Sequence, residues 1–485
     1  MTGTDLIGAD LIGTDLIGTD LTGTDVLGFA AFLAIVAWVS RRRAANAREF
    51  LVADRSVRLF PLVATLVMTE FNTSTLLAFS AAGYRAGPMA LALPFVFLIG
   101  LAFYTATVAR RWKRFNRLSV AELFTERYSP ALGRFAALML LAAMTGFCAT
   151  YVKSLSLLFQ PLFPNVAFPL MTAVCTAVVV AVVLPGGLVS VVRSDVVSFI
   201  VTVVLLPGLL LAGMLASRSA GGLASAFPAD QLVVNPIAQW SHPALPFRFV
   251  TTLIVLTCFT YIAAPWYGQK IFAARDERTA FAAAAWSAVL VFLLYGSALL
   301  AAAHFRVVAP DLADPQLAVP QMLLLWLPAG IRGVGLAVLF AAALTTLGGV
   351  WSAMAAMAAA DFGSATAGRL GAQRAALIAC ACASWVGGTF LVDDILNRLI
   401  LANIPVAALA FALLAGFYWK GATTSGAWAS VIVGVAWGTG SFLLVGEAGG
   451  YTWPWAMYGV PLIFATGIAV SLMTRHALER ARPQG

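Results

Sequence analysis

The chain has 485 residues, 61% hydrophobic and 11% charged, with a mean hydropathy of +0.91, far above that of a soluble globular domain. No interval between apolar blocks runs much beyond 28 residues, so most soluble enzyme classes are excluded and the composition is that of a membrane protein. The net charge of +9 does not point to nucleic acid, because Lys and Arg are spread through short loops and not gathered on one face or tail.

The N-terminus carries a period-five repeat, with Asp5, Asp10, Asp15, Asp20 and Asp25 five apart and glycines at 3, 8, 13, 18, 23 and 28. A pentapeptide solenoid needs several stacked coils to bury a core, and this tract supplies about one, so residues 1–25 read as a disordered acidic tail without assigned function. An extra N-terminal transmembrane helix (26–44) follows, its apolar span ending in Arg41-Arg42-Arg43, a stop signal placed on the cytoplasmic side. Blocks long enough to span a bilayer, about 17–25 residues, recur near 59–83, 88–110, 133–160, 167–185, 195–217, 246–269, 280–305, 331–358, 375–392, 398–418, 424–445 and 454–474. Together with the first they make thirteen.

Charge tests the count. With the N-terminus outside, 23 of the 30 Lys and Arg residues fall in cytoplasmic segments, six lie outside or near outer ends, and Lys153 alone sits within a span. One missed span would invert every later loop, so the bias supports thirteen spans in a plasma or inner membrane, with a cytoplasmic tail at 476–485. Lys270, after the seventh span, counts here as a cytoplasmic loop charge. The five cysteines lie in apolar spans and the three histidines stand in no zinc spacing.

Polar residues within a span are costly and therefore informative. In the second span, Thr69-Glu70-Phe71-Asn72-Thr73-Ser74-Thr75 places six polar side chains in seven positions, on every face of a helix; such groups compete for backbone hydrogen bonds and favour local unwinding around a wet cavity. In the seventh, Pro265 removes a backbone donor. Counted from the second span these two interrupted helices are first and sixth, so 45–217 and 246–418 form two inverted halves of five, with two further helices in 419–475. Broken helices at matching positions of inverted halves point to a midplane substrate site. In the ninth span, Ala342, Thr345 and Thr346 share a face among small residues. Their oxygens could join freed carbonyls in a cage for a hard cation, or the threonines could bond back to their own helix.

At these residues the sequence resembles the sodium:solute symporter family, over roughly residues 45–420. The likeness rests on EFLVADRSV before the first core helix, MTEFNTSTLLAFSAAGYRAG through it, GGLVSVVRSDVVSF entering the fifth, WYGQKIFAARDERTAF after the sixth break and LTTLGGVWSAMAAMAAADF in the eighth. The resemblance implies an all-α multi-spanning fold with a five-plus-five inverted repeat of the leucine-transporter type. It implies a Na+ site made by the carbonyls of Met68 and Phe71, the carbonyl of Ala342 and the hydroxyls of Thr345 and Thr346, where relatives more often carry serine at one or both hydroxyl positions. Asp195 matches a family acid near the inner exit of the ion path, and as a bare residue reads equally as an end cap or a partner for Arg193.

For the substrate the resemblance implies location only: Glu70, Asn72, Ser74 and Thr75 at the first break, and Tyr261, Trp266 and Tyr267 around the second. A midplane carboxylate such as Glu70 must be paired, protonated, or meet a cation or a substrate amine. Lys153, about 10 Å from the outer end of its helix at 1.5 Å per residue, reads as snorkelling. The function implied is a Na+-coupled symporter of a small organic solute in the lipid bilayer, with no enzymatic activity and no nucleic-acid partner. Alternatives are a sensor working with a separate signalling partner, and a proton-coupled carrier using Glu70.

Overall fold

The computed structural model describes residues 21–41, 53–117, 119–160, 163, 165–184, 187–362 and 370–480. Among these residues there is no β-strand, only an isolated bridge between Val57 and Ala274. Helices α1 (Gly23–Val39), α2 (Leu59–Glu70), α3 (Thr73–Ala86), α4 (Ala92–Thr107), α5 (Pro130–Phe159), α6 (Phe168–Val183) and α7 (Gly187–Arg218) are followed by α8 (Phe247–Tyr261), α9 (Pro265–Ala273), α10 (Glu277–Val308), α11 (Ile331–Met357) and α12 (Leu370–Phe390). The short helices α13 (Ile395–Leu401), α14 (Ile404–Ala408) and α15 (Ala410–Tyr418) make up one further stretch, before α16 (Thr424–Val445) and α17 (Val460–Arg480).

Among the described residues, eight helical stretches are long and apolar enough to cross a membrane, nine if the pair α8 and α9, bent by 48°, is one span. One of the eight covers Thr73 to Thr107, yet its two parts, α3 and α4, lie in opposite directions along α10. Phe79 meets Tyr295 and Tyr84 meets Phe305, whereas Phe95 meets Phe292 and Arg110 lies over Phe281. The reversal begins at Gly87, whose φ of +65° is costly for any residue with a Cβ.

Both predicted interruptions are present. Helix α2 stops at Glu70 and α3 starts at Thr73, with Asn72 Oδ1 accepting from Thr75 N at 2.8 Å as its cap. Pro265 is the first residue of α9, where its missing N–H costs nothing. Between them runs α11, whose every residue from Gly335 to Met357 is buried. A helix of small and apolar residues all round has no solvent face and belongs at the centre. At the periphery, α16 and α17 leave Leu443, Leu444 and Met473 exposed.

The N-terminal repeat ends differently from the expectation. Most of it lies outside the described residues, but its last copy is already helix: Thr22 and Asp25 form a capping box at the start of α1. Asp25 is buried, and it accepts from Gly330 N at 2.7 Å and pairs with Arg332 at 3.2 Å. Helix α1 packs so closely on α11 that a Cβ at Gly333 would overlap the Asp25 carbonyl. The tail predicted for 1–25 is therefore anchored at its end.

Candidate functional site

The first break is held open by its neighbours. Two residues leave the helical ladder, and their polar groups need partners in a medium without water. Tyr295 of α10 supplies them, donating to the Glu70 carbonyl and accepting from Asn72 N at 3.1 Å. Asn72 Nδ2 adds a bond to the Glu70 carbonyl at 3.0 Å. On the other flank Thr73 meets Ser154 at 2.6 Å, and Ser74 donates to Ser154 at 3.0 Å and to Thr150 at 3.3 Å, all on α5. At the second break, Trp112 Nε1 donates to the Ile262 carbonyl at 2.8 Å.

The residues expected to hold Na+ lie beside the first break. Thr346 Oγ1 donates across to the Met68 carbonyl at 3.0 Å, joining α11 to α2. Thr345 Oγ1 donates within its own helix to the Ala342 carbonyl at 3.2 Å. The bond-back alternative thus describes Thr345 here, while Thr346 reaches over. Phe71, with φ −77° and ψ 73°, has left the helix and so frees its carbonyl from the ladder. Neutral carbonyl and hydroxyl oxygens suit a hard monovalent cation. Among the described residues, no cluster of three or more His, Cys, Asp or Glu could hold a metal ion.

Next along α2 lies a buried charge cluster built on Lys270 and Asp195. Lys270, counted from the sequence as a cytoplasmic loop charge, is 1% exposed at the end of α9. Its ammonium donates to the Thr65 carbonyl at 2.9 Å, to Thr69 Oγ1, and to Asp195 Oδ2 at 3.2 Å. Asp195 on α7 is fully buried and also accepts from Thr65 Oγ1. Its charged partner is therefore Lys270 and not Arg193. A lysine one residue past an apolar stretch looks like a topology marker, and only the packing of α9 on α2 turns it inward. Lys153 reaches the carbonyls of Val392 and Asp393 at 2.7 and 3.1 Å, away from the breaks.

A cavity of about 80 Å³ opens between the two breaks. Glu70, Asn72, Thr75, Tyr261 and Trp266 line it. Two of the expected residues do not: Ser74 faces α5, and Tyr267 is turned to Ser287 at 2.5 Å and packs edge-on against Tyr104. The remaining wall comes from residues that sequence reasoning passed over, chiefly Phe79, Phe97, Phe147 and Tyr151, with Asn403 from the stretch between α13 and α14. Aromatic rings within apolar spans carry no signal that separates lining from packing. Glu70, 2% exposed, accepts from the Tyr261 phenol on Oε2. Its Oε1 is buried with no hydrogen-bonding partner of normal geometry, and the Trp266 indole lies beside the carboxylate.

Comparison with known proteins agrees with this geometry. The sodium:solute symporter family model matches residues 50–434, and a pentapeptide-repeat model matches residues 1–28 in eight copies. The described end of that repeat is α-helical. A sodium/pantothenate symporter of Haemophilus influenzae is 23% identical over 449 residues, covering 87% of this chain and 89% of the relative. Among solved structures, a substrate-bound, outward-open Na+-coupled sialic acid symporter superposes with a TM-score of 0.76 at 16% identity, covering 94% of this chain and 98% of its own. MhsT in complex with L-phenylalanine gives 0.52 at 15% identity, covering 86% and 98%. These likenesses show a shared fold, that of the leucine-transporter type.

Proposed function

The chain belongs to the sodium:solute symporter family, and from that premise we propose that it is a Na+-coupled symporter importing a small organic solute by alternating access. It is a membrane transporter and not an enzyme. In this reading thirteen spans are arranged as one N-terminal helix, two inverted halves of five, and two C-terminal helices, with the N-terminus outside. Na+ is held by the carbonyls of Met68, Phe71 and Ala342 and the hydroxyls of Thr345 and Thr346. The solute occupies the cavity between the breaks, against Glu70, Asn72, Thr75, Tyr261 and Trp266. Asp195 lies on the ion's inner exit route.

The observation that carries the proposal is the contact of Thr346 with the Met68 carbonyl at 3.0 Å. It brings neutral oxygens of two helices to one point next to an unwound segment, where an ion can bridge α2 and α11. When the ion enters, the threonine hydroxyl turns to offer a lone pair in place of its proton. Binding there favours the arrangement in which the two helices are close, and so couples the ion to the solute cavity. The solute itself is open; pantothenate is carried by a relative of 23% identity and is one compound to try.

The test is uptake into proteoliposomes of the purified full chain, with Na+ or choline-free Li+ and K+ media outside. Transport is expected to depend on Na+. Thr346→Ala is expected to raise the Na+ concentration for half-maximal uptake by at least tenfold. Uptake indifferent to Na+, or a Thr346→Ala variant with unaltered Na+ dependence, rejects the coupling.

A further inference from the structure

We propose that the solute bears a positive charge, an amine or quaternary ammonium head group that sits against Glu70 inside an aromatic box. This rests on the transporter reading above and specifies its substrate class.

Charge balance comes first. Glu70 is buried in the wall of the cavity, and none of the lining residues is Lys, Arg or His. The one ammonium near the first break, Lys270, has three donors and spends them on the Thr65 carbonyl, Thr69 Oγ1 and Asp195. Asp195 balances it. Glu70 accepts from the Tyr261 phenol on Oε2 and has the Trp266 indole beside its carboxylate, both of them neutral groups. A buried carboxylate among neutral donors is stabilised by a cation, whether the coupling ion or a charged solute, and the cavity is where the charged group of a solute fits.

The shape of the wall makes the same demand. Tyr261 lies edge-on to Trp266 and to Phe97, with ring centroids 6.5 and 6.0 Å apart, and Phe147 lies edge-on to Trp266 at 5.0 Å. Tyr151 completes the enclosure. Aromatic faces attract a cation within about 6 Å of the ring centre, most strongly where water is excluded. Aromatic side chains on several sides and one carboxylate in the wall accommodate an ammonium group. A solute carboxylate would meet Glu70 as a like charge, with no cationic side chain in the lining to offset it. The charge of the expected solute is therefore opposite to that of pantothenate.

The experiment measures binding to the purified full chain in Na+ by isothermal titration, using choline, ethanolamine, 3,3-dimethyl-1-butanol and pantothenate as probes. 3,3-Dimethyl-1-butanol is the neutral carbon analogue of choline. Choline or ethanolamine is expected to bind at least tenfold more tightly than the neutral analogue and than pantothenate. Glu70→Gln is expected to weaken the cationic probe at least tenfold, with Glu70→Asp in between as a control for folding. Equal affinity for choline and its neutral analogue, tighter binding of pantothenate, no binding of either cation at 10 mM, or unchanged affinity in Glu70→Gln overturns the proposal. So does loss in Glu70→Gln of the thermal stabilisation that Na+ gives without solute, because Glu70 would then be an ion ligand. Failure of the transporter reading looks different: a cationic probe would bind with its preference intact, but with the same affinity in Na+ and in K+.

Discussion

Lys270 and Asp195 form an ion pair with almost no access to water, 1% and 0% exposed. Removing one member leaves the other charged and uncompensated, which typically costs about 3–5 kcal/mol. Lys270→Met is therefore expected to lower the melting temperature sharply in detergent. Adding Asp195→Asn to the same chain is expected to recover part of the loss, because a neutral pair no longer buries a lone charge. If the double variant melts no higher than the single one, the pair is not the source of the stability. The residues of this region differ in how visible they were beforehand. Glu70 and Asn72 stand out because polar groups are rare in an apolar span, and Asp195 because it matches a family acid. Lys270 was hidden for the opposite reason: a basic residue at the end of a span is commonplace, and its direction depends on tertiary packing.

At the scale of elements, the break between α2 and α3 depends on a partner outside it. The Tyr295 hydroxyl bonds both the Glu70 carbonyl and the Asn72 amide, which also bond each other at 2.9 Å, so Tyr295→Phe takes one of several partners from each of two buried backbone groups. The expected cost is about 0.5–1.5 kcal/mol, read as a drop in thermal stability that added Na+ only partly restores. The contact of α1 with α11 is a second test. Gly333→Ala places a methyl group against the Asp25 carbonyl, and overpacking of this kind costs about 1–3 kcal/mol. The expected signature is a lower melting temperature with unchanged Na+ dependence of uptake. Both breaks were legible in the sequence because Pro265 and a run of polar residues violate strong local rules. The helical end of the repeat was not, since Asp25 looks like its four predecessors and differs only in having Gly330 and Arg332 beside it.

For the whole molecule, coupling to Na+ makes transport responsive to membrane voltage. One charge moved through 100 mV supplies about 2.3 kcal/mol, and a tenfold Na+ gradient adds about 1.4 kcal/mol. With one Na+ per singly charged cationic solute, whose own charge adds about another 2.3 kcal/mol, this supports accumulation on the order of ten-thousandfold. Imposing a negative interior with valinomycin and a K+ gradient is therefore expected to speed Na+-dependent uptake severalfold, and a rate indifferent to voltage would argue for electroneutral exchange. That the chain is a multi-spanning helical membrane protein was legible because hydropathy is summed over many residues. The shape of the cavity was not, because it is set by rings from helices far apart in the chain.

The halves α2 and α9 of the two broken helices are tied to each other. Val57 N donates to the Ala273 carbonyl at 3.0 Å and Arg275 N to the Val57 carbonyl at 2.9 Å, while Lys270 bonds Thr65 and Thr69. Their links to the rest of the protein include Thr346 to Met68, Asp195 to Thr65 and Lys270, Lys113 to the Phe272 carbonyl and Ser287 to Tyr267. Mechanically, α2 and α9 share one degree of freedom. A cysteine cross-link between positions 57 and 274 would leave that motion free, whereas one between 68 and 346 would lock it. The two half-helices then act as one lever, with the ion as the pin that fastens it to α11.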